Sequence, residues 1–332
     1  MERRAFISGI TLGLLAAPLA ARAQPPRKVA FLAFHLLGKF PEVVPGDPDA
    51  PYAAAFREGL AESGWIVGRN TTIEVKSAEG REDSLPKLAA ELVHMKPDVL
   101  VTIGEQPVRS LMRATTLPIV VMAVGDPVGT GLVKSLVRPG GNVTAVAHVA
   151  PELSAKRIEL LKELVPNISR VAMLWNPTNP HNTLQLRATQ DAAHALRITL
   201  HSAKVQSADD LEPAFTAMRT NRVEGFTMAA DNLLFTQRTR IVSLAQAHRL
   251  YGIYPERQEP EIGGLMSYAA LGTELWRHAG EYAGKILSGA KPGELPVIQP
   301  TKFELVINLQ TAKALGLTIP PSLLLRADQV IE

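Results

Sequence analysis

Short apolar runs alternate along this chain with segments in which apolar residues recur every three or four positions. "KVAFLAF" (28–34) is apolar from Val29 onward and reads as a strand buried on both faces. "PYAAAFREGLAESGW" (51–65) has the period of a helix, with Gly64 placed to end it. "TTIEVKSA" (71–78), "DVLVTIG" (98–104) and "LPIVVMAV" (117–124) follow as strands. Between them lie helices in "SLPKLAAELVHMK" (84–96), stopped by Pro97, and "PVRSLMRATT" (107–116). Short buried strands separated by amphipathic helices predict a parallel sheet covered on both sides.

A second series of the same kind begins after residue 150. "SAKRIELLKELVP" (154–166) carries Ile158, Leu161 and Val165 on one helical stripe. Strands are predicted in "RVAMLWN", "ITLHSAKV", "VEGFTMAA" and "LYGIYP", and helices in "NTLQLRATQDAAHALR", "DLEPAFTAMRTN" and "TQRTRIVSLAQAHR". The chain closes with a helix "TELWRHAGEYAGKILSG", a Pro/Gly linker "AKPGELPVIQP", a strand "KFELVIN" and a helix "LQTAKALG". Two β/α series of similar size predict an α/β protein of two doubly wound lobes. A single eight-fold barrel is the rival, but the Gly/Pro loops at 35–50 and 125–142 interrupt the even spacing a barrel prefers.

Composition adds an address and removes several chemistries. "MERRAFISGITLGLLAAPLAARAQ" has a basic start at Arg3 and Arg4, an apolar run to about Ala20, and a small-residue pattern at Ala21-Arg22-Ala23. This is the form of a secretory signal peptide cleaved after Ala23, with some likeness to a twin-arginine signal. Cleavage would remove three arginines and one glutamate from a formal charge of +3, leaving +1, so no nucleic-acid stripe is expected. The chain has no cysteine, which excludes disulfides, thiolate metal sites, thiol nucleophiles and a lipoprotein anchor. The histidines are scattered. Asp191 and His194 share a helix face but lack a second metal-like pair, so neither metal nor cofactor is expected.

The glycine-rich stretch after "LPIVVMAV" invites a nucleotide-binding reading, which its spacing does not support. In "GTGLVK" a lysine stands where a dinucleotide fingerprint needs its third glycine, and Lys134 comes too late for a Walker loop. Asp126-Pro127 and Pro139-Gly140-Gly141 read instead as turns.

The same stretch, "DPVGTGLVKSLVRPGGNVTAV" (126–146), closely resembles a signature of a family of ABC-transporter substrate-binding proteins whose members take up tryptophan and related amino acids. "AFREGLAESGWIVGRNTTIE", "LAAELVHMKPDVLVTIG", "LPIVVMAVGDP" and "LPVIQPTKFELVINLQTAKALGL" extend the resemblance over nearly all of the mature chain. It implies the type I periplasmic binding fold, two Rossmann-like lobes with parallel sheets joined by three crossings. These would fall near Asn142–Val146, Leu265–Tyr268 and Gln299–Thr301, giving lobes of 27–145 plus 268–298 and 146–267 plus 299–332. It also implies a periplasmic protein, expected as a monomer, that carries a small solute to an ABC permease. A ligand-sensing module for a membrane receptor and a periplasmic enzyme are the alternatives.

In open α/β sheets, ligands sit beyond the carboxyl ends of the strands. That rule selects Phe34, His35, Gly104, Glu105, Gln106, Gly125 and Asp126 in the first lobe. In the second it selects Asn176, Thr178, Asn179, His181, Asp231, Asn232, Tyr254 and Arg257, with Tyr268 on a crossing. Asp231 ends "EGFTMAA", where the resemblance would place a carboxylate for a ligand ammonium; Arg257 could pair a ligand carboxylate. "GEQP" and "NPTNPHN" depart from the family pattern, so tryptophan itself is not carried over.

Overall fold

The computed structural model describes residues 25–35, 39–45, 47 and 50–332; the expected signal peptide lies outside them. Five strands form a first, all-parallel sheet: β1 (Arg27–Ala33), β2 (Thr71–Ser77), β3 (Val99–Ile103), β4 (Ile119–Val124) and β5 (Val143–Ala147), in the order β2-β1-β3-β4-β5. Alternation along β1 assigns the two faces. Val29, Phe31 and Ala33 join a core with α1 (Ala50–Glu62), while Ala30 and Leu32 join one with α2 (Leu85–His94) and α3 (Glu105–Ala114).

The second sheet has seven strands: β6 (Arg170–Trp175), β7 (Thr199–Lys204), β8 (Gly225–Met228), β9 (Tyr251–Tyr254), β10 (Met266–Ala270), β11 (Phe303–Asn308) and β12 (Gln329–Ile331). Their order is β12-β11-β10-β9-β8-β6-β7. Helices α4 (Ala150–Leu164) and α5 (Pro180–Ala195) supply Ile158, Leu161 and Ala193 to the core on one face. Helices α6 (Leu211–Thr220), α7 (Asn232–Thr236) and α8 (Arg238–Ala247) supply Leu211, Phe215, Leu234 and Ile241 to the other. Short helices α9 (Gln258–Glu261), α11 (Leu309–Leu315) and α12 (Pro321–Leu324) complete this half, and α10 (Gly272–Leu287) packs back on the first sheet.

The chain passes between the sheets three times. Val143–Ala147 is a strand of the first sheet, so the first passage follows it at His148–Val149. Met266–Ala270 pairs with β9 and β11 over the second sheet, which moves the second passage from Leu265–Tyr268 to Leu271. The third runs from Ile298 to Phe303. The parallel expectation fails at one place: β10 and β11 are antiparallel. The chain leaves the sheet at the end of β10 and re-enters beside it, so β11 must run the opposite way.

The glycine-rich stretch anchors this return. The amide of Val297 donates to Leu136 O at 2.7 Å, that of Gly140 to Gly293 O at 3.1 Å, and that of Ile298 to Ala145 O at 3.0 Å.

Helices α1 and α10 approach until backbone meets backbone. A Cβ on Gly59 would lie 1.9 Å from Arg277 O, and one on Gly280 would lie 2.0 Å from Phe56 O. Alanine gains up to about 1 kcal/mol over glycine in a helix interior. Here the added carbon would force the helices apart, and overpacking costs about 1–3 kcal/mol. Gly280→Ala is therefore expected to lower the urea midpoint, despite the better helix former. A raised midpoint would show that the helix pair has slack.

Candidate functional site

The carboxyl ends of both sheets face one enclosed space. A cavity of about 150 Å³ lies between the lobes, enough for a benzene-sized body. Ile103, Met122, Met228, Phe235 and Trp276 give it apolar walls. Nine of the residues selected from the sequence line it: Phe34, His35, Gly104, Glu105, Gln106, Asn179, His181, Asp231 and Asn232. Ala123, also in the wall, sits in the left-handed region at φ 55° beside a register shift between Met122 and Val124. Backbone strain of this kind persists only where the surroundings enforce it.

Each polar group has a local reason for its place. Glu105 opens α3 and is buried, with its Oε1 accepting from Arg109 Nε at 2.8 Å. Asn179 caps α5 by accepting from the His181 amide at 3.1 Å, and its Nδ2 donates to Asp231 Oδ2 at 2.8 Å. Asp231 caps α7 by accepting from the amides of Leu233 at 2.9 Å and Leu234 at 3.4 Å. The carboxylate singled out for a ligand ammonium is thus already occupied within its own lobe.

Three contacts bring the lobes together. The amide of Asn232 lies against Gly104, 3.2 Å from where a Cβ would stand. The ring of His181 lies on Gly125 so closely that a Cβ there would be 1.5 Å from its Cε1. Both ring nitrogens of His181 are buried without a hydrogen-bond partner, and the residue faces the cavity. Tyr52 of α1 accepts a hydrogen bond from Gln258 of α9 across the same space.

Seven selected residues stand outside the cavity wall. Asp126 caps its own turn, accepting from Gly129 N at 2.7 Å, and with Gly125 borders a separate outer groove. Asn176 holds Thr178, accepting from its amide at 3.0 Å and its hydroxyl at 2.8 Å. Tyr254 is a core residue with its ring edge-on to Phe226 at 5.4 Å. Arg257 is paired with Glu261 at 3.0 Å and Glu304 at 3.2 Å. Tyr268 stacks on Phe303 at 6.1 Å.

Sequence reasoning passed over Glu256, His148, Tyr52, Gln258 and Trp276, which also line the cavity. The strand-end rule had reached Tyr254 and Arg257 and skipped Pro255 and Glu256 between them, both of which line the cavity.

The model of the family described as ABC transporter substrate binding protein matches residues 43–331. The chain belongs to this family. It is 26% identical over 264 residues to a tyrosine-binding protein of Clostridioides difficile (strain R20291), covering 79% of this chain and 75% of that one. It is similar to the crystal structure of the ABC domain in complex with L-Trp from Streptococcus pneumoniae, at 28% identity and a TM-score of 0.83, over 92% of this chain and all of that one. A conserved domain protein of Vibrio cholerae gives 28% identity and a TM-score of 0.82, over 92% and 99%. The architecture is the two-lobed type I periplasmic binding fold.

Burial sets the charge state of this substrate-binding protein's cavity. It lowers His148 to about 3, helped by Arg157 and His181, and lowers His181 to about 4, opposed by Asp126; His35 is also lowered. Desolvation raises Glu105 and Asp231, with hydrogen bonds pulling both back. Glu256 is pushed up to about 7 by desolvation, opposed by Arg157 and Arg238 and reinforced by Glu304. Behind it, Glu259 is raised well above the usual carboxylate range by burial and by Glu256.

The signs on stability are opposite. The buried histidines take a proton less readily folded than unfolded, so they erode stability as pH falls below about 6.5. Glu256 holds its proton more tightly folded than unfolded. Its contribution is present below the unfolded value of 4.5 and is lost as pH rises through about 7. Glu256→Gln is therefore expected to match the parent near pH 4.5 and to exceed it by on the order of 1–3 kcal/mol at pH 8, in ligand-free urea titrations. An advantage that shrinks as pH rises would mean that Glu256 is compensated in the folded protein.

Proposed function

We propose that this chain is an extracytoplasmic solute-binding protein that captures an amino acid or related amphipathic solute between its lobes and delivers it to an ABC permease. The observation that carries this reading is the cavity itself. It is apolar in the walls, edged by polar groups at the strand ends of both sheets, and complete within one chain. Such concave, largely apolar sites with a few placed polar groups are where small molecules bind. The relatives add weight, since one is described as tyrosine-binding and one holds L-Trp.

In this reading the lobes divide at the three passages, His148–Val149, Leu271 and Ile298–Phe303, and rotate about them. Phe34, Gln106 and Trp276 contact the body of the solute, Glu105, Asn232 and Glu256 border its polar end, and His181 closes over it. No chemical step is required, because release is coupled to the transporter. The basic and apolar N-terminal segment supports export to the compartment where such proteins work.

A solute present at 100 times its dissociation constant stabilises the folded state by about 2.7 kcal/mol. For a chain of this size that is a melting shift of roughly 5–10 °C. L-Tryptophan or L-tyrosine, or another member of an amino-acid panel, is expected to give such a shift and to be recovered unaltered. Conversion of the bound compound would assign the protein to the enzymes instead.

Closure can be blocked at one carbon. Gly125→Ala places its Cβ inside the His181 ring. It is expected to weaken the panel hit by tenfold or more, about 1.4 kcal/mol, with little change in ligand-free stability. Gly125→Ala with His181→Ala removes the clash, so the effect of the alanine at 125 should largely vanish in that background. An equal effect in both backgrounds would show that the two residues do not meet in the bound state.

A further inference from the structure

Among the described residues, no lysine or arginine lines the cavity, although three carboxylates do: Glu105, Asp231 and Glu256. Two of the three have partners. Glu105 is bound by Arg109, and Asp231 by two amides and Asn179. Glu256 accepts no hydrogen bond that the described residues supply at ordinary length. Its nearest ionisable neighbour in the cavity, His148 Nε2, is 4.0 Å away. About a quarter of its side chain remains exposed, and the cavity is what it faces.

Among the described residues, no lysine or arginine comes within ion-pair distance of the Glu256 carboxylate. Arg157 of α4 is fully buried and donates to Tyr268 O at 2.9 Å and Ser154 Oγ at 3.3 Å. It shares its charge between Glu256 and the fully buried Glu259 of α9, whose two carboxylate oxygens have no hydrogen-bond partner. Arg238 of α8 adds a positive field from outside and Glu304 of β11 a negative one. Removing a charge from water is costly unless it is paired, so an ionised Glu256 lacks a cation at the one face open to the cavity.

A second, independent group points the same way. His181 is 6% exposed, and both its ring nitrogens lack partners beside the cavity. Gln106 also lines the cavity and presents a buried, unpartnered Oε1, an acceptor. A ligand carboxylate, by contrast, would find only neutral donors: the free amides at the start of α3, the side chain of Asn232 and an imidazole NH.

Resting on the reading of the cavity as the solute site, we propose that it recognises a primary ammonium on an apolar or aromatic body through Glu256, and that a carboxylate on the solute contributes little. Amines that lack the carboxylate are then ligands in their own right. A charge-assisted hydrogen bond to a desolvated carboxylate is strong, and losing one partner of such a pair is a large effect. Neutral donors to a carboxylate give less than the bidentate grip of an arginine.

The test is calorimetric titration of the mature protein with matched compounds sharing one body. For an indole body these are L-tryptophan, tryptamine and 3-indolepropionate. For a phenol body they are L-tyrosine, tyramine and 3-(4-hydroxyphenyl)propionate; for an aliphatic body, L-leucine, isoamylamine and 4-methylvalerate. For the body that binds, the amine is expected within about tenfold of the amino acid, and the deaminated acid at least about 30-fold weaker. Glu256→Gln should weaken the amine at least tenfold and leave the acid unchanged. An acid that binds where its amine does not overturns the proposal while leaving the solute-binding reading intact, and needs no variant to be read. Unchanged amine affinity in a folded Glu256→Gln protein overturns the assignment to Glu256. Heat from none of the compounds removes the amino-acid-like reading and this proposal together.

Discussion

The lobes of this protein meet with side chains of one laid on bare backbone of the other. His181 rests on Gly125 and Asn232 on Gly104, and at the first of these no side chain larger than hydrogen would fit. The cavity exists because of that approach. Its walls come from strand ends that belong to separate sheets, and neither sheet alone encloses it. The three chain passages hold the sheets near each other without fixing the distance. The alignment of glycine against side chain is what permits full contact.

Enclosure explains the electrostatics. A carboxylate or imidazole at the end of an isolated strand would titrate near its ordinary value. Between the lobes, water is excluded, the charged forms lose their solvation, and acids rise while histidines fall. The histidines of the wall are therefore neutral hydrogen-bonding groups at physiological pH. The acids divide by whether the protein itself supplies a partner. Glu105 and Asp231 are built into helix starts, and Glu256 is the one left facing inward.

Much of this was legible in the sequence. Continuous apolar runs and period-3.6 runs marked the strands and helices of both lobes, because buried parallel strands and their covering helices carry the strongest apolar patterns. The strand-end rule led to Phe34, Glu105, Asn179 and Asp231, which do line the cavity. It could not rank them, since hydrogen bonding to local amides, as for Asp231, leaves no trace in composition. It missed Tyr52 and Trp276, whose helices reach the cavity from the face of the first sheet by tertiary packing alone. The antiparallel β11 and the short β12 were also beyond it, because both depend on where the chain re-enters the second lobe.

The central claim is that the cavity is closed by lobe rotation around a solute. Small-angle X-ray scattering on protein freed of co-purified ligand, and again after saturation with the compound that binds, addresses it directly. The account predicts a larger radius of gyration without the solute and, with it, a curve matching the closed arrangement described above. Identical curves in the two states, both matching the closed form, would contradict it and would make the cavity a fixed feature of a rigid protein.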